Sequence, residues 1–300
     1  MDWKSHRIDA LLEQALLEDK AAGDATTNLT IDPDLRAAAS IVARQELVVC
    51  GLGAVPRFLE IFARLDRRPQ AQTRFEVVSH PEIFDGVRVH AGQVLAVIRH
   101  NARVLLSCER VTLNLMQHLS GIATLTRQYV DAVHGTTARI LDTRKTVPGL
   151  RALEKYAVLC GGGTNHRLDL ASGILIKNNH ISLGGGIPAV LERALAQRKA
   201  GQRIQVEARN ARELEEALTR GAEAILLDNM SPIQVKASIE RIKKESRWIP
   251  TEASGGIVLE NIRAYAETGV DFISVGALTH SAKAANISMS IAAEETTARH

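Results

Sequence analysis

Aromatic side chains make up only 3% of the 300 residues, too few to build the stacking platforms that hold single-stranded nucleic acids. Cysteine is equally sparse. Cys50, Cys108 and Cys160 are odd in number, far apart and never in CxxC spacing, which argues against a disulfide framework or zinc site and for reduced, packed thiols. No apolar run has the length of a membrane span or a secretory leader, so no membrane partner is expected and the cytoplasm is the expected compartment. Neither sign of charge dominates: 37 basic and 34 acidic residues are interspersed for a net +3. A pI near 8.8 therefore does not by itself indicate a nucleic-acid partner, and none is expected. Neither GxGxxG nor GxxxxGK[ST] occurs, so the common glycine fingerprints for dinucleotides and nucleoside triphosphates are missing.

What is present is a chain with 45% apolar residues, enough for one large core, or a large and a small one. The first hundred or so residues mix the two periodicities. A helix is expected around Ile8 to Asp19, a polar turn at Gly23 to Thr27 and a strand over Ile41 to Cys50. Val87–His90 and Val94–Ile98 flank Ala91-Gly92-Gln93, which reads as a hairpin with glycine at the position needing positive φ. From Val104 to about Val133 apolar residues recur at helical spacing, predicting a long helix that links two domains.

Beyond it, short apolar runs alternate with helix-like sequence, the pattern of repeated β-α units. They are Ala138–Leu141, Gly173–Ile176, Ile204–Val206, Ala224–Leu227, the brief Trp248-Ile249 and Phe272–Val275. Their continuous apolar character suits parallel strands buried on both faces. Functional residue types follow each run: Asp142, Arg144 and Lys145; Lys177; Glu207; Asp228; Glu252 and Ser254; Gly276. In an α/β barrel those strand ends converge on one face. A doubly wound sheet would also gather ligands there, but usually with a glycine fingerprint after its first strand.

Arg144, Lys145, Arg151, Lys155, His166, Arg167, Lys177 and His180 crowd one stretch, and such a cluster suits a polyanion, Arg gripping carboxylate or phosphate as a fork and Lys adding point charge. Gly161-Gly162-Gly163, Ser254-Gly255-Gly256 and Gly276 are either flexible loops or places where backbone amides approach an anion; the last two fall where barrels commonly bind phosphate. His280 adds a further donor or a surface histidine. Glu207 and Asp228 end apolar runs, where a carboxylate is costly unless it meets a cation or a hydroxyl. They suit Mg2+ and sugar hydroxyls, or else structural ion pairs to Arg144 or Lys177.

The motifs, taken in order, resemble one family. Asp142-Thr143-Arg144-Lys145-Thr146-Val147-Pro148-Gly149-Leu150-Arg151 through Glu154-Lys155-Tyr156-Ala157 is similar to the signature of quinolinate phosphoribosyltransferases. The likeness takes in Glu109-Arg110-Val111, Leu119-Ser120-Gly121, Asn165-His166-Arg167, Leu175-Ile176-Lys177 with Asn179-His180, Leu227-Asp228-Asn229-Met230-Ser231-Pro232, Glu252-Ala253-Ser254-Gly255-Gly256 and Ser274-Val275-Gly276 through His280. It implies an α/β fold in two parts: an N-terminal α/β sandwich over 1–112, to which residues 280–300 return, and an incomplete α/β barrel of the seven-stranded type over 113–279. It also implies a homodimer, or a hexamer built from dimers, whose site receives Arg110 from the neighbouring subunit. Arg144, His166, Arg167 and Lys177 would hold the quinolinate carboxylates with Arg110, and Lys145 would face phosphoribosyl pyrophosphate. Glu207 and Asp228 would meet ribose hydroxyls and Mg2+, and Ser254, Gly255, Gly276 and His280 the 5-phosphate. Lys145, Glu207 and Asp228 are the residues expected to carry catalysis.

Three positions depart from the family pattern: Asn178 and Ser172 stand where Asp is usual, and Gln205 replaces an often acidic residue. They keep open a related barrel acting on nicotinate or another small acid, or a paralogue of the type found with molybdate-transport genes. A non-catalytic nucleotide or nucleic-acid binder is the alternative from another class, separable by the salt dependence of its binding.

Overall fold

The computed structural model describes residues 1–67 and 73–294 and divides into two compact units, one of Met1–Thr124 with the segment from Ala282, the other Leu125–Ser281. The sequence reading divides the chain after residue 112. The units meet later, inside the long helix, because Thr124 Oγ1 accepts from the Val48 N–H at 2.8 Å and Ser120 Oγ from the Cys50 N–H at 3.0 Å, tying that stretch to the first unit.

In the first unit α1 (His6–Glu18) buries Ile8, Leu12 and Leu16 at four-residue spacing, and α3 (Ala54–Leu65) buries Val55, Phe58, Leu59 and Phe62. The two helices pack together, and the Arg57 fork takes both oxygens of Asp9 at 2.6 and 2.7 Å. The same unit contains an antiparallel sheet of β1 (Arg36–Ala43), β3 (Glu76–Val78), β5 (Val94–Asn101) and β12 (Ile287–Ala293), in the order β12-β1-β5-β3. Along β1 burial alternates residue by residue, with Ala37, Ala39, Ile41 and Ala43 inward, the period of a strand with one face on a core. The end of the described chain thus returns to this unit through β12; positions 295–300 lie outside the described residues.

Three local expectations are corrected here. The stretch expected as a polar turn is largely a short helix, α2 (Ala25–Thr30), because the Asp24 carboxylate caps it, accepting from the Thr27 N–H at 3.0 Å. The single strand expected over Ile41 to Cys50 breaks at Arg44–Glu46 into β1 and β2 (Leu47–Val48). The Gly92 turn forms, with φ +91° and Gln93 N donating to His90 O at 3.2 Å, but its arms join different sheets: β4 (Arg88–Val89) pairs with β2, and β5 with β1 and β3.

Helix α4 (Ala102–Ala132) carries the chain between the units. In the second unit β6 (Arg139–Leu141), β7 (Ile174–Ile176), β8 (Ile204–Ala208), β9 (Ala224–Asp228), β10 (Thr251–Ser254) and β11 (Phe272–Ser274) form one parallel sheet, ordered β6-β11-β10-β9-β8-β7. The first strand lying beside the last is the order of a barrel, whereas a doubly wound sheet keeps its first strand inside. The seam falls between β6 and β7. There Thr164 makes an isolated parallel bridge to Leu141, so among the described residues the expected seventh strand is a single residue; Gly161-Gly162-Gly163 just before it has little tendency to extend a ladder. The strand expected at Trp248-Ile249 lies at Thr251–Ser254 instead, and Trp248 is exposed. Between the strands run α5 (Arg151–Cys160), α6 (Asn178–Gly184), α7 (Ile187–Gln197), α8 (Ala211–Thr219), α9 (Pro232–Ile242) and α10 (Ile262–Ala266), with α11 (Ala277–His280) after β11. Among the described residues no helix is long and apolar enough to cross a membrane.

Candidate active site

The C-terminal ends of the parallel strands open into a cavity of about 590 Å³. Each strand contributes side chains as it ends: Arg144 and Lys145 after β6, Lys177 after β7, Glu207 on β8, Asp228 at the end of β9, Glu252 and Ser254 on β10, Ser274 on β11. His166 and Arg167 follow the one-residue bridge, and Gly255, Gly276 and His280 lie in the loops after the last two strands. Every residue to which the family resemblance gives a role lines this cavity except Arg110, which sits exposed on α4 in the first unit with Glu109 at 3.9 Å.

The cationic wall is held from beneath. Asp142, fully buried, ion-pairs with buried Lys155 and accepts from the His166 N–H at 2.8 Å; Lys155 Nζ also donates to His166 O at 3.1 Å. The Asn165 amide nitrogen completes the cluster at 2.6 Å from the second Asp142 oxygen. Lys155 is therefore a structural cation. Two other members of the basic cluster are also occupied elsewhere: Arg151 donates to Thr146 and to Leu168 O, and the His180 ring accepts from the Lys177 N–H. The five that remain, Arg144, Lys145, His166, Arg167 and Lys177, line the cavity.

Two features of that wall call for an anion. Arg144 Nε is buried without a hydrogen-bond partner among the described residues, a donor whose desolvation is not repaid within the chain. Burial and the nearby Arg144 charge pull Arg167 below the ordinary guanidinium range, with Asp169 acting the other way. An anion between the two guanidinium groups would satisfy the open donor and relieve the repulsion.

Burial raises the Glu207 carboxyl above its ordinary range and the charge of Asp228 adds to the rise, while the Asn178 N–H at 3.2 Å and the charges of Lys177 and Arg209 oppose it. Among the described residues no ion pair joins either carboxylate to Arg144 or Lys177, although the Lys177 charge reaches Glu207 without one. No cluster of three or more His, Cys, Asp or Glu exists among the described residues to cage a metal. Two carboxylates beside open space nevertheless fit Mg2+, which usually keeps waters and takes further oxygens from a substrate's phosphates.

The glycine loops follow from close approach. Asn229, at φ +53°, donates from its N–H to Ser254 O at 2.8 Å and from Nδ2 to Asp228 at 2.8 Å. Its Oδ1 would lie 2.3 Å from a Cβ on Gly255, whose own φ is +93°, so position 255 has neither the room nor the backbone for a side chain. Lys145 is anchored through its carbonyl, which accepts from Thr279 Oγ1 at 2.7 Å.

Sequence reasoning missed three members of the site's framework. Asn229 had a signal, since Asn after a strand and before a Ser-Pro helix start tolerates the left-handed region. The pairing of Glu252 with His166, at 3.3 Å, and with Gln205, at 2.7 Å, had none, because the three residues lie on separate strands or loops. Ser274, which also donates to Glu252, was hidden for the same reason. Of the departures from pattern, Asn178 Oδ1 accepts from the Asn179 N–H at 2.7 Å while its own N–H serves Glu207, and Ser172 closes a local turn with Asp169.

The family model for the C-terminal domain of quinolinate phosphoribosyl transferase matches residues 122–290, and that for the N-terminal domain matches residues 24–120. Over 285 residues the chain is 42% identical to a probable nicotinate-nucleotide pyrophosphorylase [carboxylating] of Bacillus subtilis, covering 95% of this chain and 93% of that protein. The Mycobacterium leprae nicotinate-nucleotide pyrophosphorylase [carboxylating] is 40% identical, with 93% and 95% covered. The crystal structure of NadC from Streptococcus pyogenes superposes with a TM-score of 0.88 at 35% identity, over 98% of this chain and all of that one (100%).

Proposed function

The chain belongs to the quinolinate phosphoribosyltransferase family, and on that premise we propose that it transfers the phosphoribosyl group of phosphoribosyl pyrophosphate to quinolinate, with loss of carbon dioxide, to give nicotinate mononucleotide and pyrophosphate in NAD biosynthesis. The observation that carries this reading is the division of one cavity into a cationic wall with an unsatisfied Arg144 Nε and an acidic wall of Glu207 and Asp228. The two substrates need that division. A pyridine dicarboxylate is held by cations, whereas a sugar diphosphate presents hydroxyls and a charged leaving group.

In this reading Arg144, Arg167 and Lys177 orient the two carboxylates so that the ring nitrogen faces the anomeric carbon, a placement that supplies much of the rate. Lys145 lies beside the departing diphosphate. Glu207 and Asp228 stabilise the positive charge that grows at the anomeric carbon as the bond to pyrophosphate breaks. They would also hold Mg2+ with the diphosphate oxygens, where it neutralises the leaving group. Ser254, Gly255, Gly276 and His280 take the 5-phosphate at the end of the last two strands, the usual phosphate position of a barrel. Once the ring nitrogen carries the ribose it draws electrons from the adjacent carboxylate's bond; carbon dioxide leaves without a protein nucleophile, and the electron pair left on the ring carbon takes up a proton from solvent. The active assembly is a homodimer, or a hexamer built from dimers, in the cytoplasm, with Arg110 given across the subunit interface.

The test is formation of nicotinate mononucleotide by the purified protein from quinolinate and phosphoribosyl pyrophosphate, with nicotinate in parallel and with magnesium present or chelated. Turnover of quinolinate alone, abolished by chelation, is expected. Turnover of nicotinate and not quinolinate would overturn the substrate; turnover after chelation would overturn the metal.

A further inference from the structure

His166 has no free polar atom. Its N–H donates to Asp142 at 2.8 Å and its carbonyl accepts from Lys155 at 3.1 Å. In the ring, Nδ1 accepts from the Arg167 backbone N–H at 2.7 Å, and Nε2 lies 3.3 Å from the Glu252 carboxylate. A backbone N–H only donates, so Nδ1 bears no proton; a carboxylate only accepts, so Nε2 bears one. We propose that Glu252 is a positioning residue that, together with the Arg167 backbone N–H, fixes His166 as the neutral imidazole protonated on Nε2 and so sets the orientation of this part of the cavity wall. This deepens the proposed reaction and rests on it for the identity of the substrate.

The surroundings favour that state. Glu252 is 3% exposed, and burial alone would raise its carboxyl. Hydrogen bonds from the His166 ring N–H and from Gln205 offset that burial. Gln205 Nε2 donates to it at 2.7 Å, so part of its demand for donors is met by a neutral group. An acid at position 205 would instead bring two carboxylates together and draw a second proton onto the ring. Because the Arg167 N–H is bonded to the same ring, the orientation of His166 passes directly to the backbone that carries the Arg167 guanidinium, itself tied to Gly173 O at 3.0 Å.

The experiment is nitrogen NMR of protein labelled at histidine with ¹⁵N, near neutral pH, with the His166 pair assigned by its disappearance in His166→Gln. A pyrrole-type signal at Nε2 and a pyridine-type signal at Nδ1 are expected. Two pyrrole-type signals, or the reversed pair, would overturn the proposal. In Glu252→Gln, folded by its thermal transition, the Nε2 signal should shift as its charged acceptor becomes a neutral one while Nδ1 stays pyridine-type, and KM for quinolinate should rise about tenfold, with a smaller change in kcat and none in KM for phosphoribosyl pyrophosphate. An unchanged Nε2 signal and unchanged KM would refute the positioning role. Should Glu252→Gln not fold, Glu252→Asp keeps the charge and withdraws it from the ring, and is read in the same way. A wild-type protein with no quinolinate turnover would count against the substrate alone, since the nitrogen shifts still decide the tautomer.

Discussion

Replacing Lys155 with Met isolates the pair beneath the cationic wall. The side chain keeps its length and apolar stem while the buried Asp142 carboxylate loses its only described ion-pair partner and keeps the His166 N–H and the Asn165 amide as donors. Removing one member of a buried pair leaves an uncompensated charge and costs about 3 kcal/mol, which for a unit of this size lowers Tm by roughly 6–12 °C. The pH dependence follows from Asp142. Burial holds its carboxyl above the ordinary carboxylate range even though Lys155 and the His166 N–H pull it down. A native carboxyl with a raised pKa binds its proton more readily than the unfolded chain does. Its charge therefore destabilises the fold above that pKa, and the penalty fades as pH falls toward the ordinary range. Loss of Lys155 raises the carboxyl further, so the Lys155→Met deficit should be largest near neutral pH and shrink on acidification. Adding Asp142→Asn should recover most of the stability without recovering activity, because His166 and Arg167 have lost their charged anchor. Thermal unfolding of the single and double variants between pH 5 and 8 measures all of this. A single-variant cost below about 1 kcal/mol, or a deficit that grows on acidification, would refute the reasoning.

Glu207→Gln should raise Tm at neutral pH while reducing kcat by about a hundredfold. The native Glu207 carboxyl is raised by burial and by Asp228, so the gain is present above its raised pKa and vanishes as pH falls through the window down to the ordinary carboxylate range; equal melting curves at neutral pH would contradict it. Gly255→Ala forces a left-handed alanine against Asn229 Oδ1, and should cost about 1–3 kcal/mol and up to about a hundredfold in kcat/KM for phosphoribosyl pyrophosphate, read by calorimetry and steady-state kinetics. Arg110→Ala and Lys145→Ala should each be nearly inactive, yet mixed under subunit exchange should recover about a quarter of the wild-type rate if a two-fold dimer shares Arg110; exchange without recovery would sink the shared site.

The fold was legible wherever one periodicity ran without interruption. The long helix and most of the parallel strands were visible because each is a run of one pattern, and the residues standing after each strand converge because a barrel places every strand's end on one face. The hairpin at Gly92 misled because local turn chemistry fixes a reversal and says nothing about which sheet each arm joins; β4 and β5 part company there. Trp248-Ile249 misled because an apolar pair is a weak strand signal, while the real strand, Thr251-Glu252-Ala253-Ser254, is polar in its sequence and buried in the fold. Its carboxylate is tolerated only because Gln205 and His166 reach it from elsewhere. The basic cluster shows the same limit. Lys155 and Lys177 look alike in sequence, and only the fold sends one beneath the wall to Asp142 and the other into the cavity.

That sorting explains why the cationic wall is costly and still holds. Arg144 keeps a buried donor open and Arg167 is pressed toward a like charge, arrangements that destabilise the empty fold by the same interactions that would favour a bound dianion. The Asp142–Lys155 pair, neutral overall, stays out of the cavity and fixes the backbone of His166, next to Arg167, while leaving the cavity cations' donors open. A carboxylate placed on the cavity side of that wall would satisfy Arg144 directly and compete with the substrate. Keeping Asp142 beneath the wall, paired with Lys155, therefore preserves both the fold and the demand for an anion.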